Sequence, residues 1–187
     1  MTTTILPEAA TAPTDAALRA LCAREHPACF ACRPPALGGL GLNFAVHSDG
    51  SVMADWTCPP GGESYAAIVH GGLLATALDS AMIHALFARS IVARTGELNV
   101  RFCQSVRAGE PTTVTARLRT AHPPLFQLEA EILQAGALCA RAKGKFMAGN
   151  RDDRAVPMLA GASADPSRTG AVPKAGVAPN RDCEPRR

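Results

Sequence analysis

The sequence of 187 residues predicts an α+β domain in which an antiparallel sheet curls around one long buried helix. Residues 73–92, LLATALDSAMIHALFARSIV, are rich in Ala and Leu, contain no Pro or Gly, and carry apolar residues on nearly every face. Such a helix cannot lie on a protein surface with half its circumference in water; something must wrap around it. The second observation is alternation in the runs that follow. Leu98, Val100 and Phe102 point one way while Asn99 and Arg101 point the other, as in a sheet with one covered face. The element order is helix, two strands, long helix, four strands, and a sheet closed over one central helix satisfies both patterns.

Each element has a local reason. Asp15 can cap a short helix, AALRALCARE, whose Leu18, Leu21 and Cys22 share a face. A loop with many prolines and glycines follows. GLNFAVHS and SVMADWTC then read as two strands joined by Asp49-Gly50, a dipeptide suited to a tight hairpin turn. The Gly-rich stretch PPGGESYAAIVHGG reads as a polar loop leading into the long helix. After the helix come ELNVRFCQSV, PTTVTARLRTA, LFQLEAEILQ and ALCARAKGKFM, four strands separated by Arg-Ala-Gly-Glu, His-Pro-Pro and Ala-Gly turns. Residues 1–13 and 148–187 lack large apolar residues in any periodic pattern and are expected to be disordered, leaving one domain over 14–147.

Composition excludes several functions. The formal net charge is +3, and the part before Ala148 holds twelve Lys/Arg against eleven Asp/Glu, so no basic face exists to gather nucleic acid or anionic lipid. The first twenty residues have neither a basic segment nor a sustained apolar one, and no stretch approaches the roughly 18 apolar residues of a membrane span. A cytoplasmic protein is expected. Seven cysteines in such a chain favour reduced thiols over a disulfide framework.

The segment VHGGLLATALDSA places HGG just before the long helix and Asp79 nine residues after His70. With the apolar helix and the ELNVRF strand behind it, this resembles the hotdog-fold acyl-CoA thioesterases, particularly the PaaI-like branch, over roughly residues 20–147. HPACFACRPPALGGLGLNF is similar to the CFxCG-x-N-P-x-GL segment of some members, with Arg33 and Pro34 departing from the pattern. The resemblance implies hydrolysis of an acyl-CoA to a carboxylic acid and free CoA, no cofactor, and a homodimer or homotetramer whose sites are shared between subunits.

Thioester hydrolysis needs a donor where the carbonyl oxygen becomes negative and a base or nucleophile beside the carbon. Gly71 and Gly72 open the long helix, where unpaired N–H groups and the helix dipole favour negative charge. Asp79 sits in an apolar helix, where desolvation raises a carboxyl pKa and makes it a better base. By resemblance, the Gly71 N–H polarises the carbonyl, His70 positions the sulfur end, Asp79 is general base or nucleophile, and Thr95 holds the attacking water. Ser64, with Glu63 before it, stands where some members carry an Asn that orients the thioester. Arg101 and Arg107 are candidates for the CoA phosphates and otherwise solvated surface charges.

Other polar residues read as structural. His84 lies about 140° round the helix from Asp79 and is expected as a hydrogen-bonded core histidine, with Ser80 a small packing residue. His26, Cys29 and Cys32 have a spacing that suits zinc, with Cys22 and Cys58 as possible fourth ligands. A second CxxC is missing, so no metal is expected. Two rival functions remain open: a non-catalytic acyl-CoA sensor, and a hotdog-fold enoyl-CoA hydratase or dehydratase.

Overall fold

A computed structural model describes residues 12–149. The ends expected to be loose, 1–13 and 148–187, lie outside the described residues but for two positions at each inner edge. Helix α1 (Asp15–Glu25) is capped by Thr14, whose hydroxyl accepts from the Ala17 N–H at 3.1 Å. Asp15, expected as the cap, stands one residue inside the helix, and its carboxylate accepts from the Val46 N–H at 2.9 Å. That bond ties α1 to the first hairpin. Strands β1 (Ala45–Val46) and β2 (Val52–Thr57) form the hairpin, with Gly50 at φ 78° and the Asp49 carboxylate accepting from the Ser51 N–H and hydroxyl. The Asp-Gly turn is as predicted, although β1 is much shorter than the run GLNFAVHS.

The stretch read as a loop before the long helix contains a ribbon, β3 (Glu63–Tyr65) and β4 (Ile68–Val69), turning through Ala67 at φ 58°. Alanine in a left-handed turn leaves no mark in a sequence, which is why the ribbon was not foreseen. The long helix, α2, runs Gly71–Phe87 over 17 residues and stops five short of the predicted end. Its last turn closes with the Ser90 N–H on the Phe87 carbonyl and the Ile91 N–H on the Leu86 carbonyl, with Ser90 at φ 60°. This is the Schellman arrangement, with serine where glycine is usual.

Strands β5 (Arg94–Phe102), β6 (Pro111–His122), β7 (Leu125–Gln134) and β8 (Ala137–Met147) complete an antiparallel sheet ordered β1-β2-β6-β7-β8-β5. The predicted sheet around one central helix is therefore present. Buried positions from Leu74 to Ala88 span roughly 260° of α2's circumference. The sheet covers one side, through Val52, Val114, Ile132, Ala140 and Phe146, and α1 with the segment that follows it covers the other. The sector left open holds Gly72, Thr76, Asp79 and Ile83, none of which is fully buried.

Gly144 lies in the middle of β8 against α2, and a Cβ there would stand 2.6 Å from the Phe146 ring and 3.0 Å from the Met82 sulfur. Gly144→Ala is expected to lose about 1–3 kcal/mol of unfolding free energy in a denaturant titration, because a packed core must shift to admit one methyl group.

Candidate active site

The ribbon delivers the chain to α2. Val69 pairs with Glu63, the His70 N–H donates to the Gly62 carbonyl at 2.8 Å, and His70 becomes the N-cap. Its Nδ1 accepts from the Gly72 N–H at 2.9 Å, so the ring proton sits on Nε2. Gly72 allows this because a Cβ there would press within 3.0 Å of that same Nδ1. The Leu73 and Leu74 N–H groups both reach back to the His70 carbonyl. Of the first-turn amides, only that of Gly71 has no partner among the described residues. Gly71 is thus the open donor at the positive end of α2, where a Cβ would stand 3.5 Å from the Phe102 ring.

Asp79 is half-buried two turns along. Burial pushes its carboxyl up from the ordinary value, while the Thr95 hydroxyl, donating at 2.8 Å, and the charge of His26 pull it partly back. Thr95 reaches Asp79 because Gly96 is an extra residue in β5, between the Thr95–Phe146 and Glu97–Lys145 pairs. The structure therefore brings Asp79 and Thr95 together, and separately His70, Gly71 and Gly72. Glu63, opposite Val69, stands closer in register to the His70 turn than Ser64 does; both are exposed.

His84 is a core residue, as expected. It is 2% exposed, bonded through Nδ1 to the Ser80 carbonyl at 2.7 Å, and burial pulls its pKa down to about 4. The proximity of His26 to Asp79 was not foreseen; no spacing rule links α1's end to the middle of α2. Arg107 lies on the β5–β6 connection, its backbone held by the Gln134 amide, and Arg101 lies on β5. Five cysteines are free thiols, as expected, whereas Cys103 departs from that expectation and is disulfide-bonded. Among the described residues no helix is long and apolar enough to cross a membrane.

The stretch that carries these residues is similar to known proteins. The family model of the thioesterase superfamily matches residues 66–140, spanning the cap, Asp79 and Thr95. Over that stretch the chain is similar to the thioesterase superfamily. Its hotdog fold is also that of a putative thioesterase from Ralstonia eutropha JMP134, related to phenylacetic acid degradation. The two are 27% identical with TM-score 0.54, covering 62% of this chain and 90% of that one. The PaaI protein of the E. coli phenylacetic acid degradation operon aligns at TM-score 0.61 and 18% identity, over 72% of this chain and 95% of its own. Protein RHA08564, a thioesterase superfamily protein, is 25% identical with TM-score 0.56 over 58% of this chain; the chain spans only 57% of its length. No curated protein matches the sequence.

The raised pKa of Asp79 has a stability consequence with a definite sign. A carboxyl whose folded pKa exceeds its unfolded one is charged at a cost wherever the pH lies above the ordinary carboxylate value. Asp79→Asn keeps an oxygen for Thr95 and removes that charge. It is expected to melt at a higher temperature than wild type at pH 7, with the gap closing as the pH falls below the ordinary carboxylate range.

Proposed function

We propose that the chain is an acyl-CoA thioesterase, releasing a carboxylic acid and free CoA, and that its sites form between two copies of the chain. One observation carries this reading: an open N–H at Gly71 and a hydroxyl-held carboxylate at Asp79 lie on the same helix, eight residues apart. At 1.5 Å per residue that is about 12 Å, too far for both to act on one carbonyl. A second copy resolves the mismatch, with Gly71 of one chain facing Asp79 of the other. Asp79 lies in the sector of α2 that the chain's own fold leaves open, Gly71 stands in the helix's first turn, and among the described strands β5 is an edge of the sheet.

The Gly71 N–H donates to the thioester carbonyl as its oxygen gains charge. The partner chain's Asp79 either takes a proton from water, which then attacks the carbonyl carbon, or attacks that carbon itself to form an anhydride that water cleaves. In both routes the CoA thiolate leaves and is protonated. Thr95 orients the carboxylate and can accept a hydrogen bond from the water, and the outward His70 Nε2–H is a donor for the sulfur end. Glu63 and Ser64 border the entrance, where they would contact the acyl or pantetheine portion.

The decisive assay is thiol release from short, medium, long and aromatic acyl-CoAs. Wild type is expected to hydrolyse one class, and Asp79→Asn to be slower by about 10²-fold or more. Gly71→Pro deletes the open N–H where proline suits a helix start and where His70 already has extended backbone angles, φ −63° and ψ 129°. It should fold and be inactive. Co-expressed Asp79→Asn and Gly71→Pro chains should recover about a quarter of wild-type activity, since half the dimers are mixed and carry one intact site in two. No recovery would place the site within one chain, and binding of CoA esters without hydrolysis by wild type would replace the enzyme by a sensor.

Thr95→Ala removes a bond that favours the charged carboxylate, so the Asp79 pKa climbs further. The acidic limb of the kcat/KM profile should then move to higher pH, with a loss of about 10- to 100-fold at neutral pH.

A further inference from the structure

We infer that the chain holds one structural zinc ion between α1, the segment after it, and α2, bound by Cys22, Cys29, Cys32 and His84. The sequence offered only an incomplete zinc spacing, His26-x2-Cys29-x2-Cys32. Of the further candidates Cys22 and Cys58 the fold selects Cys22, on α1, and it adds His84 from the core of α2, which takes the place of His26 in the ligand set. The Cys22 sulfur, the Cys32 sulfur and a His84 ring nitrogen lie within 4.8 Å of one another, and the same is true of His26, Cys29 and Cys32. Cys32 belongs to both groups.

The distances suit a metal. His84 Nε2 stands 3.4 Å from the Cys32 sulfur and 3.6 Å from the Cys22 sulfur. In a tetrahedral site with Zn–S near 2.3 Å and Zn–N near 2.1 Å, neighbouring S and N ligands are about 3.6 Å apart. The imidazole is also set for the task. Its Nδ1–H donates to the Ser80 carbonyl at 2.7 Å, which leaves the Nε2 lone pair facing the two sulfurs. A backbone carbonyl on the far nitrogen is the usual way a ligating histidine is oriented. Cys29 supplies the fourth position, forming with Cys32 the C-x2-C pair that closes zinc knuckles. The Arg33 N–H donates to the Cys29 carbonyl, keeping that turn tight.

His26, the remaining member of the cluster and not one of the four ligands, has a buried Nδ1 with no hydrogen-bond partner among the described residues, so protein contacts alone leave a polar atom there unsatisfied. Three thiols and two imidazoles are packed together. Three thiolates and one imidazole are the donor set preferred by Zn²⁺, and binding would release three thiol protons to solvent. Cys58 stands apart, its sulfur directed to the Pro59 carbonyl.

The test uses the full chain, expressed with zinc and purified under reducing conditions. Metal analysis should find about one zinc per chain in wild type and in Cys58→Ser, and less than a tenth of that in Cys22→Ser, Cys29→Ser and Cys32→Ser. Replacing zinc by Co²⁺ in wild type should produce the sulfur-to-cobalt absorption of a thiolate site, and stripping the metal with a chelator should lower the melting temperature. That last measurement needs no variant to fold. A folded wild type that carries no zinc and gives no thiolate band with Co²⁺ overturns the inference. Full zinc content in Cys29→Ser would overturn the assignment of the fourth ligand.

Discussion

The rest of the molecule depends on burying α2. A helix apolar over roughly 260° of its surface is insoluble by itself, and the sheet, α1 and the segment after α1 exist largely to cover it. Ala77, Leu78, Ala81, Met82, Ala85 and Leu86 are each 0% exposed, and the sheet places Val52, Val114, Ile132 and Phe146 opposite them. The packing is close enough that a Cβ at position 144, in the centre of β8, would press on Phe146 and Met82. With the helix so confined, its first amide, its single carboxylate and its one histidine have fixed positions, and each of the three faces a different environment.

Those three environments account for their chemistry. The first turn meets solvent beside the ribbon, so the Gly71 N–H stays open. Asp79 lies in the uncovered sector, buried enough to raise its pKa and exposed enough to be reached. His84 points the opposite way, into the space between α2 and α1, where it meets sulfur and aromatic rings and remains neutral. One helix thus serves as a reactive surface on one side and a structural anchor on the other.

Much of this was legible in the sequence, and the misses have physical causes. The antiparallel sheet, the buried helix and the start of α2 followed from periodicity and from HGG. The end of α2 did not, because Ser90 adopts the left-handed conformation without the glycine that would have signalled it. The ribbon before α2 was hidden by an alanine turn and by polar residues that read as loop. Asp79 stood out because a carboxylate in an apolar helix demands a reason, whereas its contact with Thr95 depends on the Gly96 bulge, which no pattern reveals. The cysteine spacing was visible in one dimension, but its convergence on His84 required the third.

The short strand β1 ends one side of the sheet, while the other side ends in β5, nine residues long and paired on one side only among the described strands. An edge of that length is a template on which other extended chains can assemble. If a second copy caps it, every newly made chain passes through a period as an adhesive intermediate whose hazard grows with crowding and with delay in finding its mate. Expression level then carries opposing demands: scarce chains stay single and idle, while abundant ones that misfold risk growing sheets without end.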